Sequence, residues 1–222
     1  MSAPLIKWFT VSALLLGLYG LYLGLFVAPT DYQQGESYRI IFIHVPAAWM
    51  SMLIYVVMAI YAGMGLVFNT RLSSMMATAL APTGAMFTFL ALWTGALWGK
   101  PMWGAYWVWD ARLTSELILL FLYVGFISLQ SAIDDPRRAA RASGVLALVG
   151  VVNVPIIYFS VKWWNTLHQG ASISLEKAPS MATTMLWAML IMTFAFWAYT
   201  FAVVFMRVRC VMLEQERNSE WV

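Results

Sequence analysis

The sequence predicts an all-α integral membrane protein, a bundle of six transmembrane helices, on three observations. Of its 222 residues 62% are hydrophobic and only 10% charged, and the mean hydropathy is +0.76, too apolar for the charged surface of a soluble domain of this length. The apolar residues gather into six runs, each long enough for the roughly 20 residues a bilayer crossing takes. These lie at about 5–28, 40–68, 76–98, 113–133, 142–162 and 179–206, leaving little chain for a soluble part. Without an internal repeat, low-complexity tract or linker, residues 1–222 read as a single six-span membrane domain.

The first span is long, and Phe26-Val27-Ala28 puts a bulky residue where signal cleavage wants a small one, so it is expected to remain a helix. Gly20 and Gly24, four residues apart, suit close approach by a neighbouring helix. Span two has about 29 residues and would extend about 43 Å against a hydrocarbon core of about 30 Å. Its outer end is therefore expected to protrude, lifting Arg39 and His44 to headgroup level, with Pro46 loosening the helix beside His44. Span three holds Pro82 and a second small pair, Gly95 and Gly99, and ends in a tryptophan-rich outer loop, residues 98–112.

Just before span four, Asp110 is suited either to cap that helix or to act directly in ligand release or partner contact. Glu116 is the one acid well inside an apolar run, where an unpaired charge is expensive. Arg112, one turn earlier, is expected to pair with it, in preference to a proton-handling role for Glu116. Span five contains Asn153, expected to bond between helices, and Pro155, expected to kink it. Cys210, just past span six, is the single cysteine, which excludes a disulfide framework, paired redox thiols and a Cys-x-x-Cys-His heme attachment.

Lys and Arg concentrate on the cytoplasmic side of membrane proteins. With the N-terminus inside, the inner segments hold Lys7, Arg71, Arg137, Arg138, Arg141, Arg207, Arg209 and Arg217, against Arg39, Lys100, Arg112, Lys162 and Lys177 outside. Asp134-Asp-Pro-Arg-Arg-Ala-Ala-Arg141 is a compact turn of the cytoplasmic kind, so both termini are expected in the cytoplasm. The net charge of +3 then follows from this basic excess beside lipid and needs no nucleic acid.

The run Trp98-Gly-Lys-Pro-Met-Trp103-Gly-Ala-Tyr-Trp107-Val-Trp109 holds four tryptophans and a tyrosine, with Asp110 and Arg112 following at once. Indoles offer large flat apolar faces with one polar N–H each, a surface suited to a flat aromatic ligand. An interfacial aromatic belt would be roughly symmetric. Here Trp98, Trp103, Trp107, Trp109, Trp163 and Trp164 are all outer, whereas Trp8 and Trp221 are the inner-end tryptophans. If the loop is partly helical, Trp103 and Trp107 share a face at i and i+4.

The only two histidines, His44 and His168, also fall on the outer side and flank this loop in sequence. Two imidazoles approaching from opposite sides suit axial ligation of a heme iron and are too few for a closed zinc site. The propionates of a porphyrin would need cations. Arg39 and Arg112 are the better candidates, since guanidinium pairs bidentately with carboxylates, while Lys100, Lys162 and Lys177 equally suit snorkelling at the interface.

The stretch from Trp98 to Glu116 contains Trp-Gly-x-x-Trp-x-Trp-Asp and resembles the tryptophan-rich (WWD) heme-handling proteins, in the version found in the cytochrome c maturation protein C (CcmC) family. Six spans, a His two residues before a Pro in span two and a His in the third outer loop extend the resemblance along the chain. Tyr106 departs from the pattern, at a position where a tryptophan is expected. The resemblance implies a bacterial inner-membrane protein that transiently binds heme b at its periplasmic face and presents it to a heme chaperone, CcmE. It implies contact of Trp98, Trp103, Trp107, Trp109 and Asp110 with the porphyrin, and His44 and His168 as axial ligands. It also implies partners: the ATP-binding-cassette pair CcmA and CcmB, and the small single-span subunit CcmD. The chain has no P-loop, so ATP would act through a partner, and no nucleophile and base pair suggests an enzyme. The alternative is a permease-type subunit moving heme or another small molecule, with Pro46, Pro155 and Glu116 lining its path.

Overall fold

A computed structural model describes residues 3–168, 173 and 178–217, with side chains to residue 214. Lys177 and Trp221, assigned above to the outer and inner sides, lie outside the described residues. Helix α1 (Ala3–Tyr22) runs on through a π turn, Leu23–Val27. A short 3-10 turn, Glu36–Ile40, leads into α2 (Ile41–Phe68), followed by α3 (Arg71–Trp103), α4 (Ala111–Ala132), α5 (Pro136–Gly150), α6 (Asn153–Trp163) and α7 (Thr183–Arg217). Among the described residues six stretches are long and apolar enough to cross a membrane: Ala3–Val27, Glu36–Phe68, Arg71–Trp103, Ala111–Ala132, Pro136–Trp163 and Thr183–Glu214. The chain is an all-α membrane bundle.

Span five is built from two helices. Pro155 cannot donate to the Val151 carbonyl, and its ring crowds that oxygen. The chain turns at Val151–Val152, where the Val154 N–H takes up the Val151 carbonyl at 3.0 Å. Pro46 and Pro82, by contrast, lie within continuous helices.

Lipid is as apolar as leucine, so helices in a membrane associate through close packing and hydrogen bonds. Helices α2 and α3 form the central pair, with α4, α5 and α7 around them and α1 packed outside against α7. Small residues admit large ones. A Cβ at Gly84 would lie 2.2 Å from the Tyr123 ring and one at Gly150 would lie 2.2 Å from the Tyr55 hydroxyl, while Gly20 receives Met192 and Gly24 receives the Phe42 ring. The two tyrosines meet edge to face at 4.9 Å. Tyr123 donates to the Ser51 carbonyl and Asn153 Nδ2 to the Ser115 carbonyl, both at 2.8 Å, so Asn153 joins span five to α4 as its position suggested.

The connection between α1 and α2 is a bonded turn. Asp31 Oδ1 accepts the N–H groups of Gln33 and Gln34, and Gly35 adopts φ 57°, a conformation open to glycine. Arg39 Nη1 donates to the carbonyls of Gly24 and Ala28 and its Nε pairs with Glu36. Tyr38 donates to the Pro29 carbonyl at 2.6 Å.

Candidate functional site

Helix α3 builds one wall of the site from Ala91, Thr94, Gly95 and Trp98, spaced i, i+3, i+4 and i+7 and therefore on one face. Against that face α2 places His44. Its Nδ1 lies 3.0 Å from both the Ala91 carbonyl and Thr94 Oγ1. Thr94 already donates its proton to the Leu90 carbonyl at 2.6 Å, so both neighbours of Nδ1 accept and Nδ1 must carry the hydrogen. The Nε2 lone pair is thereby left for a metal, the arrangement by which an imidazole is oriented as a ligand. A Cβ at Gly95 would sit 3.0 Å from His44 Cε1. The Gly95/Gly99 pair thus receives an imidazole and the turn at Ala105, where a second helix backbone was expected.

Trp98 closes one end of this box, its ring and that of His44 meeting edge to face at 5.6 Å and 77°. The segment after α6 brings His168 beside His44, with ring centroids 6.4 Å apart and planes 35° from parallel. Trp103, the last residue of α3, lies 5.1 Å from His168. Burial, and then the positive charge of Arg112, lower the His168 pKa to about 4, so this imidazole is neutral at physiological pH.

Beside the histidines a small cavity of about 20 Å³ is lined by His44, Arg112, Glu116 and His168 together with Ala48, Ala91, Leu92 and Leu113. Arg112 Nη1 donates to the Ile157 carbonyl at 2.7 Å, in the half of span five beyond the Pro155 break. Glu116 Oε1 accepts from Ser51 at 2.8 Å. The expected Arg112–Glu116 ion pair does not form, because each side chain is drawn to a different helix. Glu116 Oε2, His168 Nδ1, Asp110 Oδ2 and Trp107 Nε1 are all buried without a hydrogen-bond partner among the described residues. Such groups are costly unless something completes them.

The tryptophan run divides in two. It is helical to Trp103; Gly104 then turns left-handed at φ 77°, and residues 105–110 are not helical. Trp103 and Trp107 therefore do not share a helical face. Trp107 instead meets Trp109 edge-on at 5.4 Å, and Trp109 is 77% exposed. Asp110 caps α4, accepting the Leu113 N–H at 2.8 Å. Arg39 is engaged in the turn between α1 and α2, and Lys100 lies over the Tyr106 ring. Trp163 and Trp164 are exposed.

The family model described as heme exporter protein C matches residues 1–222. The chain belongs to that family. Heme exporter protein C of Escherichia coli K12 is 50% identical over 218 residues, 98% of this chain and 87% of the relative. That of Haemophilus influenzae is 48% identical over 220 residues, 99% and 88% of the two chains, and that of Paracoccus denitrificans is 40% identical over 209 residues, 94% and 86%.

Within this chain, the residues missed from the sequence are those that hold the histidine rather than face a ligand: Ala91, Thr94 and Gly95. The 91-94-95-98 spacing is visible in the sequence, but nothing there says that His44 is what the face meets.

Proposed function

We propose that this chain binds heme b transiently at the periplasmic face of the bacterial inner membrane and hands it to the periplasmic chaperone CcmE for cytochrome c maturation. The observation that carries this reading is the neighbouring pair of imidazoles, His44 and His168, with ring centroids 6.4 Å apart. Two imidazoles on opposite sides of one metal, with bonds of about 2 Å and a ring radius of about 1 Å, have centroids about 6 Å apart. No cluster of three His, Cys, Asp or Glu that could hold a bare ion occurs among the described residues. The donor set therefore suits a metal that arrives already held by a macrocycle. The names of the relatives, heme exporter, support heme as the cargo.

Heme iron supplies two axial positions for nitrogen ligands, and the protein's part is to hold, orient and release the macrocycle. His44 Nε2 is aimed by the Nδ1 bonds to α3, and His168 is kept neutral. The cavity, about 20 Å³, is far below the roughly 300–1,000 Å³ of pockets that enclose a drug-sized ligand, which supports a macrocycle held at its edge and not enclosed. Trp98 and Trp103 flank the imidazoles, and Trp107, Trp109 and Asp110 continue the aromatic edge outward. Arg112 retains donors for a propionate, whereas Arg39 serves by tying down the first outer turn. The exposed Arg137, Arg138 and Arg141 at the start of α5 support cytoplasmic termini under the positive-inside rule. CcmA, CcmB and CcmD are the proposed membrane partners, with ATP hydrolysis left to the cassette pair.

Absorption spectra of the detergent-purified protein, oxidised and reduced, test the reading. Heme bands in wild type that shift or vanish in His44→Ala and in His168→Ala are expected. Identical spectra in all three proteins would sink it.

A further inference from the structure

The outer turn between α1 and α2 contributes a side chain to the site across a wide gap in sequence. Gln34 Oε1 accepts the Trp98 indole N–H at 2.9 Å. An indole pivots freely about two side-chain bonds, and this bond fixes where its ring edge lies. The indole stands against the His44 ring, centroids 5.6 Å apart and planes at 77°. Around the imidazole, the Nδ1 bonds set the ring's position along α3, Gly95 supplies the floor, and Trp98 is the wall that limits its rotation.

The turn that carries Gln34 is built to hold it still. Asp31 Oδ1 accepts the Gln34 backbone N–H at 2.8 Å and that of Gln33 at 2.9 Å. The Gly35 N–H returns to the Asp31 carbonyl at 3.0 Å, with Gly35 in a backbone conformation that L side chains avoid. Arg39 and Tyr38 lash both ends of the turn to the end of the first span. So many bonds in so short an outer connection exceed what joining two helices requires.

We infer that Gln34 is a positioning residue of the heme site: by holding the Trp98 indole it fixes the orientation of the His44 imidazole. The inference rests on His44 being a heme ligand. It predicts that the first outer turn tunes how the iron is held without touching the porphyrin.

The test uses the full-length protein in detergent, loaded with ferric heme, with the low-spin fraction and the anisotropy of the iron's paramagnetic resonance signal as readouts. Both depend on imidazole orientation, which a loss of general stability does not alter. Gln34→Leu removes the acceptor and is expected to lower the low-spin fraction and speed heme loss about 3- to 10-fold, the factor one hydrogen bond carries. Trp98→Phe keeps an aromatic ring but removes the donor together with part of the indole, and is expected to shift the same signal the same way. Adding Gln34→Leu to Trp98→Phe should then change nothing further. A Gln34→Leu spectrum and off-rate equal to wild type overturn the inference, as does an undiminished effect of Gln34→Leu in the Trp98→Phe protein. If Gln34→Leu does not fold, Trp98→Phe decides alone, and its identity with wild type overturns the inference too. Wild type without a low-spin signal lost in His44→Ala would instead overturn the heme reading itself.

Discussion

Gly95→Ala should separate heme binding from stability. A Cβ there would stand 3.0 Å from His44 Cε1, and ordinary carbon contacts need about 3.5 Å or more, so the imidazole must retreat by about 0.5 Å. Its Nδ1 bond to the Ala91 carbonyl, now 3.0 Å, would stretch to about 3.5 Å, beyond the useful range of an N–H···O bond. Losing the partner that orients a ligating histidine typically costs about 10- to 100-fold in metal affinity. The same substitution favours the helix by up to about 1 kcal/mol, since alanine is the better helix former. Titration of the purified protein with ferric heme, followed by absorption, should therefore show at least about tenfold weaker binding, while thermal unfolding in the same detergent falls only modestly, because the helix gain offsets part of the about 1–3 kcal/mol lost with the buried hydrogen bond. The bulkier Gly95→Val should bind more weakly still. If both variants bind heme as wild type does while His44→Ala does not, Gly95 has no part in placing the imidazole and the reasoning is wrong.

Three further outcomes follow from the same geometry. His168 in the heme-free protein should titrate near pH 4, seen in its ring proton resonances; a midpoint near 6.5 would mean that the burial is not real. Because that folded value lies below the unfolded one of about 6.5, His168 favours the folded state fully at pH 7 and opposes it increasingly as pH falls toward 4, so His168→Phe should flatten the fall in melting temperature over that window. Asp110→Ala should lower stability by about 1 kcal/mol through loss of the α4 cap, with Asp110→Asn close to wild type, and equal melting temperatures for both would show that the cap contributes nothing. Gly84→Ala drives a methyl into the Tyr123 ring, 2.2 Å away, and should cost about 1–3 kcal/mol, read as a lower melting temperature; a melting temperature equal to wild type would show that the ring moves aside freely.

The helical class and the broad places of the spans were legible because both depend on one-dimensional quantities, the length and polarity of apolar runs. The WWD run and the two histidines were legible as chemistry, since indoles and imidazoles are scarce and carry their function in the side chain itself. Asp110 as cap and Asn153 as an interhelical bond were equally local inferences, each needing only its own helix and a neighbour.

What lay beyond the sequence was which partner each polar group takes. Arg112 and Glu116 stand one turn apart, yet the first bonds to Ile157 and the second to Ser51, because a buried group bonds to whatever the packing of other helices presents. Trp103 and Trp107 part company at a single left-handed glycine, a choice made by how the chain must re-enter at α4. That Thr94 and Ala91 aim His44, and that Gln34 steadies Trp98, depends on contacts spanning 47 to 64 residues. Sequence alone determined the fold class and the chemical vocabulary of the site. The tertiary structure decided its grammar, because hydrogen bonds and close packing act over about 3–4 Å, and folding alone sets which residues come that close.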